Sequence, residues 1–346
     1  MKEPTLYPII ILVLFFVWIV SCNQPKLSSH EIERAKQETM PRIRFLASDE
    51  LKGRKPGTAE MEIAARYIVE QFRAYGLQSF STINNFLQVV PIEFVTPQLV
   101  KNVSCNNVVG FIEGSDSILR KEYVVLMAHY DHLGIIPDPV NADSDSIYNG
   151  ARDNGVGITA LLYAAKEVSE KPPLRSVIFL ATTGEEVGMQ GSSYFLNNCP
   201  VPLNTIAFVL NNDGGGYNDT TLIRIGGKNE INFPPSFWEK TISSGLYCLP
   251  YPEELKSLYN EGDAIRFAEN GIPSITISPG FNKIDDAILK YIHKPADEAG
   301  EDFNYFYLAK FCITYSEISI SIANSGAVPF WNINSEYYSK GFQLYY

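Results

Sequence analysis

The sequence predicts an α/β protein with a mixed, mostly parallel central sheet and helices on both faces. Short apolar runs without alternation recur through the middle of the chain, at residues 123–128, 176–181, 205–210 and 272–277. Runs of that kind fit strands covered on both faces. Between the first two, residues 154–168 place Val156, Ile158, Leu161, Leu162, Ala165 and Val168 on one helical face. Strand, helix and strand then follow in the order of an α/β crossover. Each run also stops at a polar cluster: His129-Tyr130-Asp131, Thr183-Gly184-Glu185-Glu186, Asn211-Asn212-Asp213 and Ser278-Pro279-Gly280. Ligands of open α/β sheets bind beyond the carboxyl ends of the strands, which is where these clusters fall.

The leading segment is read first, because a removable piece would distort the fold. Residues 8–21 form an uncharged run of 14, short for a membrane span of about 20 residues but suited to a signal-peptide core. It ends Ile19-Val20-Ser21-Cys22, which resembles a bacterial lipoprotein cleavage box with Ile where Leu is usual. The expectation is a signal peptide at 1–21, a lipidated Cys22 opening a polar tether at 22–28, and a body exported and membrane-tethered in the periplasm or outer membrane of a bacterium. The other four cysteines, Cys105, Cys199, Cys248 and Cys312, form no CxxC and read as buried thiols or one bridge rather than metal ligands.

The body begins with helical stretches at 29–48 and 58–75. In the second, Met61, Ala64, Ala65, Ile68, Val69 and Phe72 are helically spaced before Gly76. Residues 86–95 and 102–112 read as strands. No repeat or low-complexity linker divides 29–325, so one continuous domain is expected there. Leu308, Phe311, Cys312, Tyr315, Ile318 and Ile322 suggest a closing helix, although the Ser-Ile alternation at 318–322 also reads as a strand. The aromatic tail at 326–346 is read as packing on the domain, with a partner surface as the alternative.

Composition narrows the function. Of 346 residues 45% are hydrophobic and 19% charged, a globular balance that excludes disorder. The net charge of −11 repels phosphate backbones and argues against nucleic-acid binding. There are only four histidines, His30, His129, His132 and His293, so a metal centre must lean on carboxylates. The ligand-type residues at the sheet edge are His129, Asp153, Glu185, Glu186, Asp213 and His293. Alone, each short motif reads as a turn or a helix cap. Together, in this order at strand ends, they point to zinc held by imidazole nitrogen and carboxylate oxygen.

The quoted pieces extend to LASDELKGRKPGT at 46–58, MAHYDHLG at 127–134, IYNGARDNGVG at 147–157, TTGEEVGMQGSSYF at 182–195, NND at 211–213, GDAIRFAENGIPSI at 262–275 and IHKPAD at 292–297. With these the chain, from about 40 to 325, resembles the co-catalytic zinc aminopeptidases, family 28 of the metallopeptidases, which also takes in the glutaminyl cyclases. The resemblance implies a zinc aminopeptidase-like fold, peptide substrates and two zinc ions. His129 and Asp213 would hold one ion, Glu186 and His293 the other, and Asp153 would bridge them. Glu185 would be the general base acting on a bridging water, with Asp131 fixing the His129 tautomer. It also implies a cis peptide bond after Asp153.

Around this core, His132 reads as structural. Asp297 reads as a helix cap or an orienter of His293, Asp263 as a structural or substrate-amine contact, and Tyr291 as a doubtful oxyanion donor, because Ile292 separates it from His293. Arg152, beside the bridging Asp153, departs from the family pattern, and its charge is expected to weaken metal binding. Asn212 and the glycines after Asp213 depart as well. Two alternatives stand beside an exopeptidase: a one-zinc glutaminyl-peptide cyclase, and a non-catalytic receptor-like domain.

Overall fold

The computed structural model describes residues 27–96, 99–137, 144–214, 218–233 and 244–346. The expected signal peptide, Cys22 and most of the tether lie outside these residues. Helix α1 (Ser29–Leu46) starts at Ser28, whose hydroxyl accepts from Glu31 N while the Glu31 carboxylate accepts from Ser28 N. This reciprocal cap satisfies two otherwise orphaned amides. Helix α2 (Ala59–Ala74) buries the six residues its spacing singled out.

The strands are β1 (Leu87–Thr96), β2 (Leu99–Ile112), β3 (Tyr123–His129), β4 (Gly134–Ile135), β5 (Ile147–Tyr148), β6 (Ser176–Thr182), β7 (Ile206–Asn212), β8 (Leu222–Gly226), β9 (Ile231–Asn232), β10 (Tyr247–Pro250), β11 (Ser274–Pro279) and β12 (Phe330–Trp331). Eight form one sheet in the order β1-β2-β6-β3-β7-β11-β8-β10. The four central strands β6, β3, β7 and β11 run parallel, with antiparallel pairings at β1/β2, β2/β6 and β11/β8. This is the mixed, mostly parallel sheet that the apolar runs predict.

Both faces of the centre are covered. Along β3, Val124, Leu126 and Ala128 join the larger apolar cluster, while Val125 and Met127 join a second one. On β6, Val177, Phe179 and Ala181 face the first cluster and Ile178 and Leu180 the second. That is why these strands read as unbroken apolar runs. The first face carries α1, α2, α3 (Val156–Glu170) and α7 (Tyr305–Ala323). The second carries α4 (Gln190–Asn197), α5 (Ala264–Ala268) and the final helix α8 (Tyr338–Tyr345), with the short α6 (Asp286–Leu289) near the carboxyl edge.

Residues 305–323 are helix, not strand. Thr314 and Ser319 donate to carbonyls four residues back, Lys310 O at 2.7 Å and Tyr315 O at 2.7 Å, so their hydroxyls can be buried without breaking the helix. The aromatic tail packs on the body. Trp331 Nε1 donates to Gly271 O at 2.8 Å, the Tyr345 hydroxyl donates to Ile206 O, and β12 pairs with β9. Cys105, Cys199, Cys248 and Cys312 are free thiols. Among the described residues no helix is long and apolar enough to cross a membrane.

Candidate metal centre

Strand β3 delivers His129 to the carboxyl edge of the sheet. Its Nδ1 lies 3.2 Å from Asp131 O. A carbonyl can only accept, so Nδ1 carries the proton and Nε2 turns its lone pair outward. Nε2 stands 3.3 Å from Asp153 Oδ1 and 3.4 Å from Asp213 Oδ1. The other Asp153 oxygen, Oδ2, is 3.1 Å from His293 Nε2, which is in turn 3.3 Å from Glu186 Oε2. Asp153 therefore offers one oxygen to each of two donor sets. Ligand atoms at the corners of a tetrahedron around zinc, with bonds of about 2.0 Å, lie about 3.3 Å apart. Both sets have that spacing and a nitrogen-oxygen donor chemistry that suits zinc. His132 also reaches the second set, with Nδ1 2.6 Å from Glu186 Oε1 and 4.0 Å from Asp153 Oδ2.

The segment that carries Asp153 is held from behind. Asp297 accepts from Arg152 N at 2.9 Å, Asp153 N at 3.1 Å and Arg152 Nη1 at 3.0 Å. Asp297 thus neither caps a helix nor orients His293; it anchors the main chain at the bridging residue. The Arg152 charge is taken up by that carboxylate, and its guanidinium lies 3.7 Å over the Tyr291 ring. Arg152 is thus paired with Asp297, and Tyr291 serves as its platform. The Asp153–Asn154 peptide bond is cis, as the resemblance implies.

Asn154, which sequence reasoning passed over, straps this segment to the end of β7. Its amide donates to Asn212 O at 2.8 Å and its Oδ1 accepts from Gly157 N at 2.9 Å and Gly214 N at 3.1 Å. A Cβ on Gly214 would overlap Arg152 O, so the glycine after Asp213 is a packing requirement rather than a loose end.

The Glu185-Glu186 pair follows β6. Its main-chain amides donate to the Asp131 carboxylate at 3.2 and 3.4 Å, whereas that carboxylate is 3.9 Å from His129 Nδ1. Asp131 touches His129 through its carbonyl, and its side chain instead fixes the glutamate turn. Asp263 is buried and accepts from Thr182 at 2.5 Å and Ser192 at 2.6 Å. It is a structural brace, not a substrate-amine contact. Arg54, quoted in a motif but given no role from sequence, is fully buried. It donates to Tyr130 O at 2.8 Å, Asn149 O at 2.6 Å and Gly150 O at 2.9 Å, and also to Leu46 O. It joins the loop after His129 to the loop before Asp153. Nothing in the sequence distinguishes such a carbonyl-bound arginine from a surface one.

The side chains alone set up a strong electrostatic contest. Burial raises Glu185 well above the ordinary carboxylate range, with Asp213, Asp263 and Glu186 adding to the effect and His129 opposing it. Burial pushes Asp131 up to about 7 against the pull of His129. For Asp153 burial is outweighed by hydrogen bonds from His129 and His293, which hold it well below the carboxylate range. The bond to Asp153 pushes His293 up to about 9. Burial disfavours a charge on His129, yet Glu185, Asp153 and Asp213 overcome it and raise that imidazole as well. Histidines driven to hold protons among carboxylates mark a place that favours positive charge.

The donor sets open into a cavity of about 480 Å³. Its apolar wall includes Met189, Leu258, Phe281, Ile284, Ile288 and Ile292, and no Lys or Arg occurs among its described lining residues.

A carboxylate shared between two His-containing donor sets, at the carboxyl edge of a mixed α/β sheet, is a place where divalent metal could be held. Residues 107–307, more than half of the chain, match Peptidase family M28, and the chain belongs to that family. Over 155 residues it is 30% identical to a protein of Pyricularia oryzae named "Probable zinc metalloprotease", covering 43% of this chain and 29% of that one. The chain thus spans under a third of that relative's length. Solved structures share the fold. An aminopeptidase from Aneurinibacillus sp. strain AM-1 aligns with a TM-score of 0.63 at 13% identity over 89% of this chain and 99% of its own. A Porphyromonas gingivalis glutaminyl cyclase aligns at 0.61 and 16% identity over 83% and 96%.

Proposed function

We propose that this chain is a zinc-dependent aminopeptidase with two zinc ions. His129 and Asp213 would hold one, Glu186 and His293 the other, and Asp153 both. The observation that carries this reading is the pair of Asp153 oxygens, each about one tetrahedral edge from a histidine of a different donor set. When bound, such ions would polarise a peptide carbonyl and acidify a water. Glu185, raised by burial and lining the cavity, takes the proton from the attacking water and returns it to the departing amine. Asp131 keeps Glu185 and Glu186 turned to their separate tasks by binding both of their amides.

The amino-terminal preference rests on charge. Among the described lining residues the cavity offers Asp153, Glu185, Glu186, Asp213 and Glu261 but no Lys or Arg. A substrate's free ammonium finds carboxylates there, while a free carboxylate finds no cationic side chain other than histidine. The relative that is a glutaminyl cyclase makes cyclisation of amino-terminal glutamine the second reading. Amino-acid amides, free peptides, amino-terminally blocked peptides and Gln-peptides, assayed with metal counting, separate the readings. The expected result is release of amino-terminal residues from free peptides only, with two zinc ions per chain. Carboxy-terminal release, or pyroglutamate formation with one ion per chain, would overturn it.

Export and membrane tethering through a lipidated Cys22 belong to the same proposal. The support is the apolar run before Ile19-Val20-Ser21-Cys22. The mass of membrane-extracted protein should correspond to a chain starting at an acylated Cys22, and an intact Met1 without an acyl chain contradicts it.

A further inference from the structure

Two histidines compete for the second donor set. His132, Asp153 and Glu186 offer ligand atoms within 4.8 Å of one another, and His293 Nε2 reaches the same two carboxylates at 3.1 and 3.3 Å. Resting on the two-zinc reading above, we propose that His132 is no ligand but a positioning residue. It binds Glu186 Oε1 through Nδ1 and so leaves Glu186 Oε2 alone to face the metal with His293.

The distances separate the two roles. Ligand atoms around one zinc sit about 3.3 Å apart, whereas His132 Nδ1 is 2.6 Å from Glu186 Oε1. That separation belongs to a charge-assisted hydrogen bond. An ionised carboxylate only accepts, so Nδ1 must carry the proton, and a protonated nitrogen has no lone pair for a metal. Its 4.0 Å to Asp153 Oδ2 is likewise longer than the histidine–aspartate separations of the two donor sets. The ring is held in place for this task. Its main-chain amide donates to Arg54 O at 3.3 Å. Gly150 lies flat against it, such that a Cβ there would come within 2.6 Å of His132 Cδ2. The ring also meets His293 edge-on, with centroids 5.8 Å apart. His132 thus fixes the Glu186 carboxylate rotation from one side while His293 lies on the other.

Partners that orient a metal ligand change affinity by about 10- to 100-fold when removed. The test is zinc titration against a competing chelator, with the melting temperature of the metal-free protein measured alongside. Wild type should bind two ions. His132→Leu should bind one ion unchanged and the other about 10- to 100-fold more weakly. His132→Asn should recover most of the loss, because its amide N–H falls near the place of Nδ1. Complete loss of one ion in both variants overturns the proposal in favour of His132 as a ligand. Unchanged affinities in His132→Leu, or equal weakening of both ions with a lowered metal-free melting temperature, overturn it in favour of a role in packing alone. A wild-type stoichiometry of one contradicts the two-zinc reading itself, and the proposal falls with it.

Discussion

The two donor sets share Asp153 but are built differently. His129 ends a central strand, is 2% exposed, and has its ring fixed by the Asp131 carbonyl. Its partner Asp213 leaves the neighbouring strand β7, next to a glycine that packs on the Arg152 carbonyl. His293 sits in a turn after α6 with a left-handed φ of 49°, and its side chain is 50% exposed. Regular sheet geometry holds one side of the centre, and a turn at the cavity mouth holds the other. Coordination that rests on rigid elements is better organised before the metal arrives. The His129 side should therefore bind first and more tightly, and the His293 side should be the place where exchange and substrate act.

Removing the shared residue should abolish the contrast. Asp153→Ala is expected to lower stoichiometry at both sides and to reduce kcat/KM by more than about 1,000-fold, the scale of losing metal assistance of several kcal/mol. Retention of one tightly held ion would show that the sides are more independent than their common carboxylate suggests. Glu185→Gln sharpens the comparison from another angle. Both ions should remain while kcat falls by about 100-fold or more, and unchanged hydrolysis would remove Glu185 from the mechanism.

The pH dependence of the His293 side has a definite sign. In the metal-free site His293 is pushed up to about 9 by Asp153, so below that pH an ion bound there must displace a proton. Affinity at this side should rise about tenfold per pH unit as pH increases towards 9 and then level off. A flat profile in chelator titrations between pH 6 and 8 would contradict the assignment of His293. The smallest expected effect is on the brace. Asp263→Asn should cost about 1–3 kcal/mol of stability, read by denaturant unfolding, through one weakened buried hydrogen bond, with both metal affinities preserved.

What could be read from sequence follows the same division. His129, Glu186 and Asp213 stand out because they lie in the polar clusters at which apolar runs stop, and a strand end places them near one edge. The place of His293 in the second set came only from the resemblance, since no periodic element leads into it. Asp297 was misread, and Asp263 was left between two roles, because their partners are remote in the chain: Arg152 is 145 residues from Asp297 and Ser192 is 71 from Asp263. Whether a carboxylate caps, braces or binds depends on such partners, and local sequence does not carry them. The strands β8 and β10 went unnoticed for a different reason. They are short, with five and four residues, and β10 lies at the sheet edge, where the apolar run is interrupted. Asn154 and Arg54 escaped because their work is done on main-chain groups, which every sequence possesses.

Anomalous diffraction at the zinc edge from crystals of the zinc-loaded protein tests the shared-carboxylate centre most directly. Two peaks are expected, one among His129, Asp153 and Asp213 and the other among His293, Asp153 and Glu186, with the first at higher occupancy when zinc is limiting. A single peak, or a second peak lying against His132 Nδ1, would contradict it.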